Sequence, residues 1–249
     1  MLRKRIIPIV LLDGFSVLKT INFDVRRNLG SPITVAKTYN TRNVDELILL
    51  DIDASKQGRA IDNFTIGEIA QDCFMPLTVG GGIRSIKDIR GLLSKGADKV
   101  SINSYALENP SFIQEAASVF GSQCITVSID VVEEEEGFSI YSNRQINREL
   151  SLMKWIMEVE RLGAGELLIN NVTRDGSMKG GCVELAALVS DSVSIPVIYA
   201  GGICSPVDAA KIAKTNVSAL GISSIFHFTD FTPKDCSLEL KSQGIATRY

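Results

Sequence analysis

The sequence predicts a single α/β domain of the (βα)8 class, a TIM barrel over residues 1–249 assembled from two similar halves. Three observations predict it. A chain of 249 residues is the length that such a barrel commonly fills as one unit. Short apolar, β-branched runs alternate with segments whose apolar residues recur at helical spacing. The pattern also returns at half the chain length.

The strands come in order as "RIIPIVL" (5–11), "ELILLDI" (46–52), "PLTVG" (76–80), "DKVSIN" (98–103), "CITVSID" (124–130), "ELLINN" (166–171), "IPVIYA" (195–200) and "SALGI" (218–222). Near-continuous apolar strands of this kind belong to a parallel sheet covered by helices. The intervening "SIKDIRGLLSKG" (85–96) and "LSLMKWIMEVERLG" (150–163) read as amphipathic helices stopped by glycine. The acidic "VVEEEEGF" (131–138) reads as a solvated loop. An open doubly wound sheet is the competing arrangement.

The repeat supports closure. "TVGGGIRS" (78–85) returns as "IYAGGICS" (198–205), and "KVSINS" (99–104) as "ALGISS" (219–224), both displaced by 120 residues. "LLDIDASKQGR" (49–59) has a looser echo in "LINNVTRDGSMKG" (168–180). Laying 6–11 on 125–130 sets Leu11 where the other half has Asp130.

Composition excludes several function classes. The net charge is −3 and no basic block is present, so neither nucleic acid nor an anionic membrane is expected as a partner. No apolar run is long enough to span a bilayer, and the first ten residues lack a signal peptide's apolar core, which points to the cytoplasm. The five cysteines show no C-x-x-C spacing and read as reduced thiols. Neither a metal site nor a cofactor is expected. His227 is the only histidine and reads as a packing or surface residue, so proton transfer falls to carboxylates, lysine or cysteine.

Alternation along strands sends every second side chain into the barrel. Arg5, Glu46, Lys99 and Glu166 then open four strands at the N-terminal rim, as a ring of two cations and two anions. Such a ring is either a structural plug or a gate on a passage. Above it come Thr78, Ser101, Thr126 and Ser128, small and hydroxylated where barrel layers are usually bulky. These leave room and hydrogen-bonding groups for a small neutral molecule such as ammonia.

At the C-terminal rim, Gly81-Gly82 and Gly201-Gly202 follow strands three and seven, and Asn103-Ser104 and Ser223-Ser224 follow strands four and eight. Glycine turns expose backbone amides to anions, so each half offers one phosphate cradle and the ligand is expected to be phosphorylated at both ends. Asp130 is the candidate acid or base. Asp175 and Gly176 sit in "TRDGS", either at the site or as turn formers, and Lys19 lies in the first βα loop, placed to close over a ligand or simply solvated.

These residues resemble one family closely: HisF, the cyclase subunit of imidazole glycerol phosphate synthase. The similarity runs from "RKRIIP" to "SQGIATR" and includes "PLTVGGGI", "GADKVSIN", "FGSQ", "GAGELLI", "TRDGS" and "SSIFHF". The resemblance implies a (βα)8 barrel that takes ammonia from a HisH-like glutaminase docked at its N-terminal face. Ammonia then passes through the barrel to a doubly phosphorylated ribulosyl nucleotide at the other face. It also implies Arg5, Glu46, Lys99 and Glu166 as the gate. Gly82, Asn103, Asp175, Gly202 and Ser224 fall on the phosphate motifs, and Asp130 on one of two catalytic aspartates.

Leu11 stands where the resemblance places the other aspartate, and Arg148-Glu149 replaces a Thr-Gly before the sixth helix. Leucine can neither donate nor accept a proton. Asp13 shares Leu11's face but lies about 6.6 Å further along an extended strand. Three readings follow: a paralogue of the kind encoded for acetamidino-sugar formation in surface polysaccharides, with an ATP-dependent amidotransferase as further partner; an authentic cyclase using Asp13; or a non-catalytic adapter that activates a glutaminase.

Overall fold

The computed structural model describes residues 3–21 and 25–248. Its strands are β1 (Arg5–Leu12), β2 (Val17–Ile21), β3 (Val25–Gly30), β4 (Leu47–Asp51), β5 (Leu77–Gly80), β6 (Lys99–Ile102), β7 (Ile125–Glu134), β8 (Gly137–Ser142), β9 (Gln145–Asn147), β10 (Glu166–Asn171), β11 (Val197–Ala200) and β12 (Ala219–Ile222). Eight of them, β1-β4-β5-β6-β7-β10-β11-β12, pair in parallel, and β12 returns to β1 to close the barrel. The eight expected strands are these eight, displaced by a residue or two at most ends.

The helices between them are α1 (Pro32–Thr41), α2 (Asn63–Gln71), α3 (Ile86–Ser94), α4 (Ser104–Glu108), α5 (Ser111–Phe120), α6 (Leu152–Arg161), α7 (Val183–Ser190), α8 (Pro206–Ala213), α9 (Ser224–Phe228) and α10 (Pro233–Ser242). Helix α6 buries Leu152, Trp155, Ile156 and Val159, the three- and four-residue spacing of one helical face. The half-length repeat recurs in the caps. Ser85 accepts from the Asp88 amide and Ser205 from the Asp208 amide, each closing the first turn of α3 or α8.

The pleat divides the hydrophobic interior into two clusters. Ile6, Val10 and Leu12 of β1 pack outward against the helices, whereas Ile7, Ile9 and Leu11 join Ile48, Leu168, Ile198 and Ala219 inside the barrel. Each fully buried side chain of this size contributes about 1.5–3 kcal/mol, so the barrel wall is stabilised from both faces.

Two segments depart from expectation. The first βα loop folds as the antiparallel hairpin β2–β3, and Lys19 lies on β2 with only 2% exposure rather than on a free loop. The acidic stretch 131–138 is not a solvated loop. Its first half continues β7, which pairs with β8, and Glu133 is tied to Arg174 and Asn171.

Candidate functional site

The floor of the barrel is the four-residue ring. Arg5 donates to Glu46 at 2.7 Å and to Glu166, and Lys99 lies 3.0 Å from Glu46 and 2.9 Å from Glu166. The Thr78 hydroxyl adds a third donor to Glu46 at 2.6 Å. Both carboxylates are almost dry while the Arg5 and Lys99 side chains keep 26% and 20% of their exposure. The cations therefore meet solvent from below. Buried charges tolerate this only because every one is paired.

Above the ring lies a layer with no surface exposure, formed by Ile7, Ile48, Thr78 and Thr126. The Thr126 hydroxyl is buried without a partner. A cavity of about 820 Å³ begins over this layer, at Ile9, Ser101, Ser128 and Gly221, and opens at the C-terminal rim. Among the described residues the cavity lining stops at this dry layer, with the ring beneath it.

The mouth gathers the residues singled out from the sequence. Gly81, Gly82, Asn103 and Ser104 line one side; Gly201, Gly202, Ser223 and Ser224 line the other; Lys19, Asp130, Asp175 and Gly176 lie between. The paired glycines are required by close backbone approach. A Cβ on Gly81 (φ +126°) would stand 2.5 Å from the Asp51 carbonyl oxygen, and one on Gly201 (φ +105°) 2.5 Å from that of Asn171. Both positions fall in the backbone region that favours glycine. Two-fold repetition of this approach leaves the amides that follow on the cavity wall, the arrangement an anion uses.

Asp130 ends the lumen-facing row of β7. It accepts from Asn103 Nδ2 at 2.8 Å and Asn170 Nδ2 at 3.2 Å. Burial pushes its carboxyl up to about 6; the two amides offset part of that shift, and the nearby Asp175 charge adds to it. A carboxyl poised there exchanges a proton near neutral pH, the property acid–base catalysis needs. Asp175 lies 3.6 Å from Lys19 and accepts from Thr20, pinning the β2–β3 hairpin across the mouth.

Asp13 is corrected. Its carboxylate accepts from the Ser16 and Phe15 amides in the turn between β1 and β2, and it is absent from the cavity wall. It shapes that turn, and its charge acts on Arg26 of the cavity wall. Leu11 does line the cavity, packed in the inner apolar cluster with Ile9 and Leu18. His227 packs edge-on against Tyr39, and burial, with Lys19 and Arg42 nearby, lowers its pKa to about 4.

Sequence reasoning missed several supports. Asn170 was placed facing the lumen but not as a holder of Asp130. Asp51 accepts from the Asp53 and Ala54 amides and pairs with Arg59 at 2.6 Å, fixing the loop after β4. Arg26 of β3 clasps Asp53 of that loop at 2.5 and 2.6 Å. The hairpin β8–β9 carries Tyr141, Asn143 and Arg144 onto the cavity wall. No motif announces these long-range pairs, although alternation along 166–171 would have pointed to Asn170.

The described residues contain no group of three or more His, Cys, Asp or Glu side chains able to hold a metal ion, and no helix long and apolar enough to cross a membrane. Residues 5–232 match the family model described as histidine biosynthesis protein. The chain is 46% identical over 248 residues to a Campylobacter jejuni protein provisionally named imidazole glycerol phosphate synthase subunit hisF2, covering all of this chain and 99% of that one. It is 40% identical over 252 residues to the HisF subunit of Clostridium botulinum, full length on both sides. Against the Lactococcus lactis HisF subunit the identity is 41%, over all of this chain and 97% of the relative. With the closed barrel and its duplicated mouth in place, these matches show that the chain belongs to the histidine biosynthesis protein family and is HisF-like over its full length.

Proposed function

We propose that this chain is the synthase side of a glutamine-dependent amidotransferase and that its nitrogen acceptor is not the histidine-pathway nucleotide. On this reading a HisH-like glutaminase docks beneath the Arg5–Glu46–Lys99–Glu166 ring and releases ammonia there. Ammonia crosses the ring and the dry layer when they open, and it is used at the mouth on a phosphorylated ligand. The acceptor proposed is a sugar of surface-polysaccharide synthesis whose acetamido group becomes acetamidino. Replacing that amide oxygen by nitrogen expels water, so an ATP-dependent partner that activates the oxygen belongs to the same reading. All of these components place the work in the cytoplasm.

The single observation that carries the paralogue reading is Leu11. It lines the cavity, within the inner apolar cluster, where the resemblance puts a proton-transferring aspartate. Loss of one acid–base group typically costs about 10²–10⁴-fold in rate. The hisF2 name of the Campylobacter jejuni relative is consistent with a second copy of the subunit.

A second reading keeps the histidine-pathway cyclase: both glycine cradles and Asp130 face one cavity, as that substrate would require. Turnover of the ribulosyl nucleotide with ammonium salt separates the two. The paralogue reading expects a rate at least about 10²-fold below that of an authentic HisF subunit assayed alongside; a matching rate rejects it. For the adapter reading, glutaminase activation that survives Asp130→Asn unchanged, with no acceptor turnover in either form, is the supporting result.

A further inference from the structure

Five cations line the mouth cavity: Lys19, Arg26, Lys56, Arg84 and Arg144. Four have acidic partners, Lys19 with Asp175, Arg26 and Lys56 with Asp53, and Arg84 with Glu108. Arg144 makes no ion pair or side-chain hydrogen bond among the described residues. Its backbone is also unusual. Asn143 and Arg144 form the two-residue turn between β8 and β9, where Ser142 faces Gln145, and their φ values are +52° and +63°. Positive φ at both central residues marks a type I′ turn, for which Asn-Gly is the favoured pair. Glycine would take the second position without strain, whereas an L side chain there pays a steric penalty. Left-handed non-glycine residues that persist against that penalty cluster at ligand sites.

The place of this turn in the ring of strands gives the strain a use. The hairpin extends from β7, the strand of Asp130, which lies between β6 and β10. One glycine cradle follows β5 and β6, and the other follows β11 and β12. Arg144 therefore overhangs the sector that separates the cradles, alongside Tyr141 and Asn143.

We propose that Arg144 is a third anchoring point of the mouth and takes an anionic substituent, a carboxylate or phosphate, borne by the middle of the phosphorylated ligand. A guanidinium fork matches either group in two-point geometry. The inference rests on the reading of the mouth as a phosphorylated-ligand site; it does not depend on ammonia delivery or on any partner.

Two open-chain pentitol bisphosphates that differ by one carboxylate within the chain test it by calorimetric titration of the intact protein: arabinitol 1,5-bisphosphate and 2-carboxyarabinitol 1,5-bisphosphate. Wild type is expected to prefer the carboxylated probe by about 10- to 100-fold, the worth of one charge-assisted contact. Arg144→Gly and Arg144→Ala should abolish that preference while leaving arabinitol 1,5-bisphosphate affinity within about twofold of wild type. Arg144→Gly alone should also raise the melting temperature, by about 2–4 °C, because the turn strain is relieved. Equal binding of the two probes by wild type, or a preference that persists in Arg144→Gly, overturns the proposal. Failure of wild type to bind either probe overturns it together with the phosphorylated-ligand reading beneath it.

Discussion

The two halves of the barrel share their backbone devices and differ in their chemistry. Ser85 and Ser205 cap equivalent helices in the same way, and a Cβ on Gly81 or on Gly201 would stand 2.5 Å from a backbone oxygen at the end of the neighbouring strand. Against that common frame, the second half carries Asp130, whose pKa burial raises to about 6, and His227, whose pKa burial lowers to about 4. Asp130 matches Leu11 in the first half, and His227 matches Leu107 at the 120-residue displacement. The halves thus share turns and exposed amides, and they differ in a single side chain at one strand end, a carboxyl in Asp130 and an alkyl group in Leu11.

The strongest way to break this contrast is to restore the missing group. Leu11→Asp places a carboxylate on the cavity wall in the half that lacks one. Turnover of the ribulosyl nucleotide with ammonium should then rise on the order of 10²-fold over wild type, at a cost in stability from setting a charge into the inner apolar cluster. No gain, in a variant shown by circular dichroism to be folded, would mean that the halves differ in more than this one side chain.

A smaller effect separates the matched caps. Asp208 is buried and accepts from the amides of Cys204 at 3.1 Å and Gly181 at 2.9 Å, whereas the half-buried Asp88 accepts from Arg84 alone at 3.1 Å. Asp208→Ala should cost about 2 kcal/mol and Asp88→Ala about 1 kcal/mol, since the former strands two amides. Urea denaturation of the two variants measures the difference. Equal losses would make the second amide contact irrelevant.

The smallest effect is a pH slope. The Asp130 pKa rises from 3.8 to about 6 on folding, so its contribution to stability is full below pH 3.8 and is lost as pH rises through 6. His227 falls from 6.5 to about 4, so its contribution is full above 6.5 and is lost as pH falls through 4. Between about pH 4 and 6 the two oppose each other. His227→Phe should make stability fall more steeply with rising pH across that window, and Asp130→Asn should do the reverse. Parallel shifts in both variants would remove the titrating contrast between the halves.

How far this was legible in the sequence follows from the range of each signal. The eight barrel strands were readable because apolar β-branched runs are local, and the mouth glycines because they recur at a constant displacement. Alternation then sorted Arg5, Glu46, Lys99 and Glu166 onto one level, where the structure joins them in ion pairs. Lys19 was misplaced because "VLKTI" lacks a recognisable hairpin turn beside it, so nothing local distinguished a strand from a loop. Glu133 looked solvated among four consecutive glutamates, since its partner Arg174 lies 41 residues away. Asp13 seemed a substitute acid by spacing alone, yet the chain leaves the strand at Leu12 and turns the carboxylate back onto its own backbone.

The dry layer of Ile7, Ile48, Thr78 and Thr126 has an electrical consequence. These four side chains carry no formal charge and no exposed surface, and carrying an ammonium ion among them beyond the reach of the Glu46 and Glu166 carboxylates costs several kcal/mol or more. Uncharged nitrogen hydride meets no such barrier. On the ammonia route proposed above, such a partition discriminates by charge rather than by diameter.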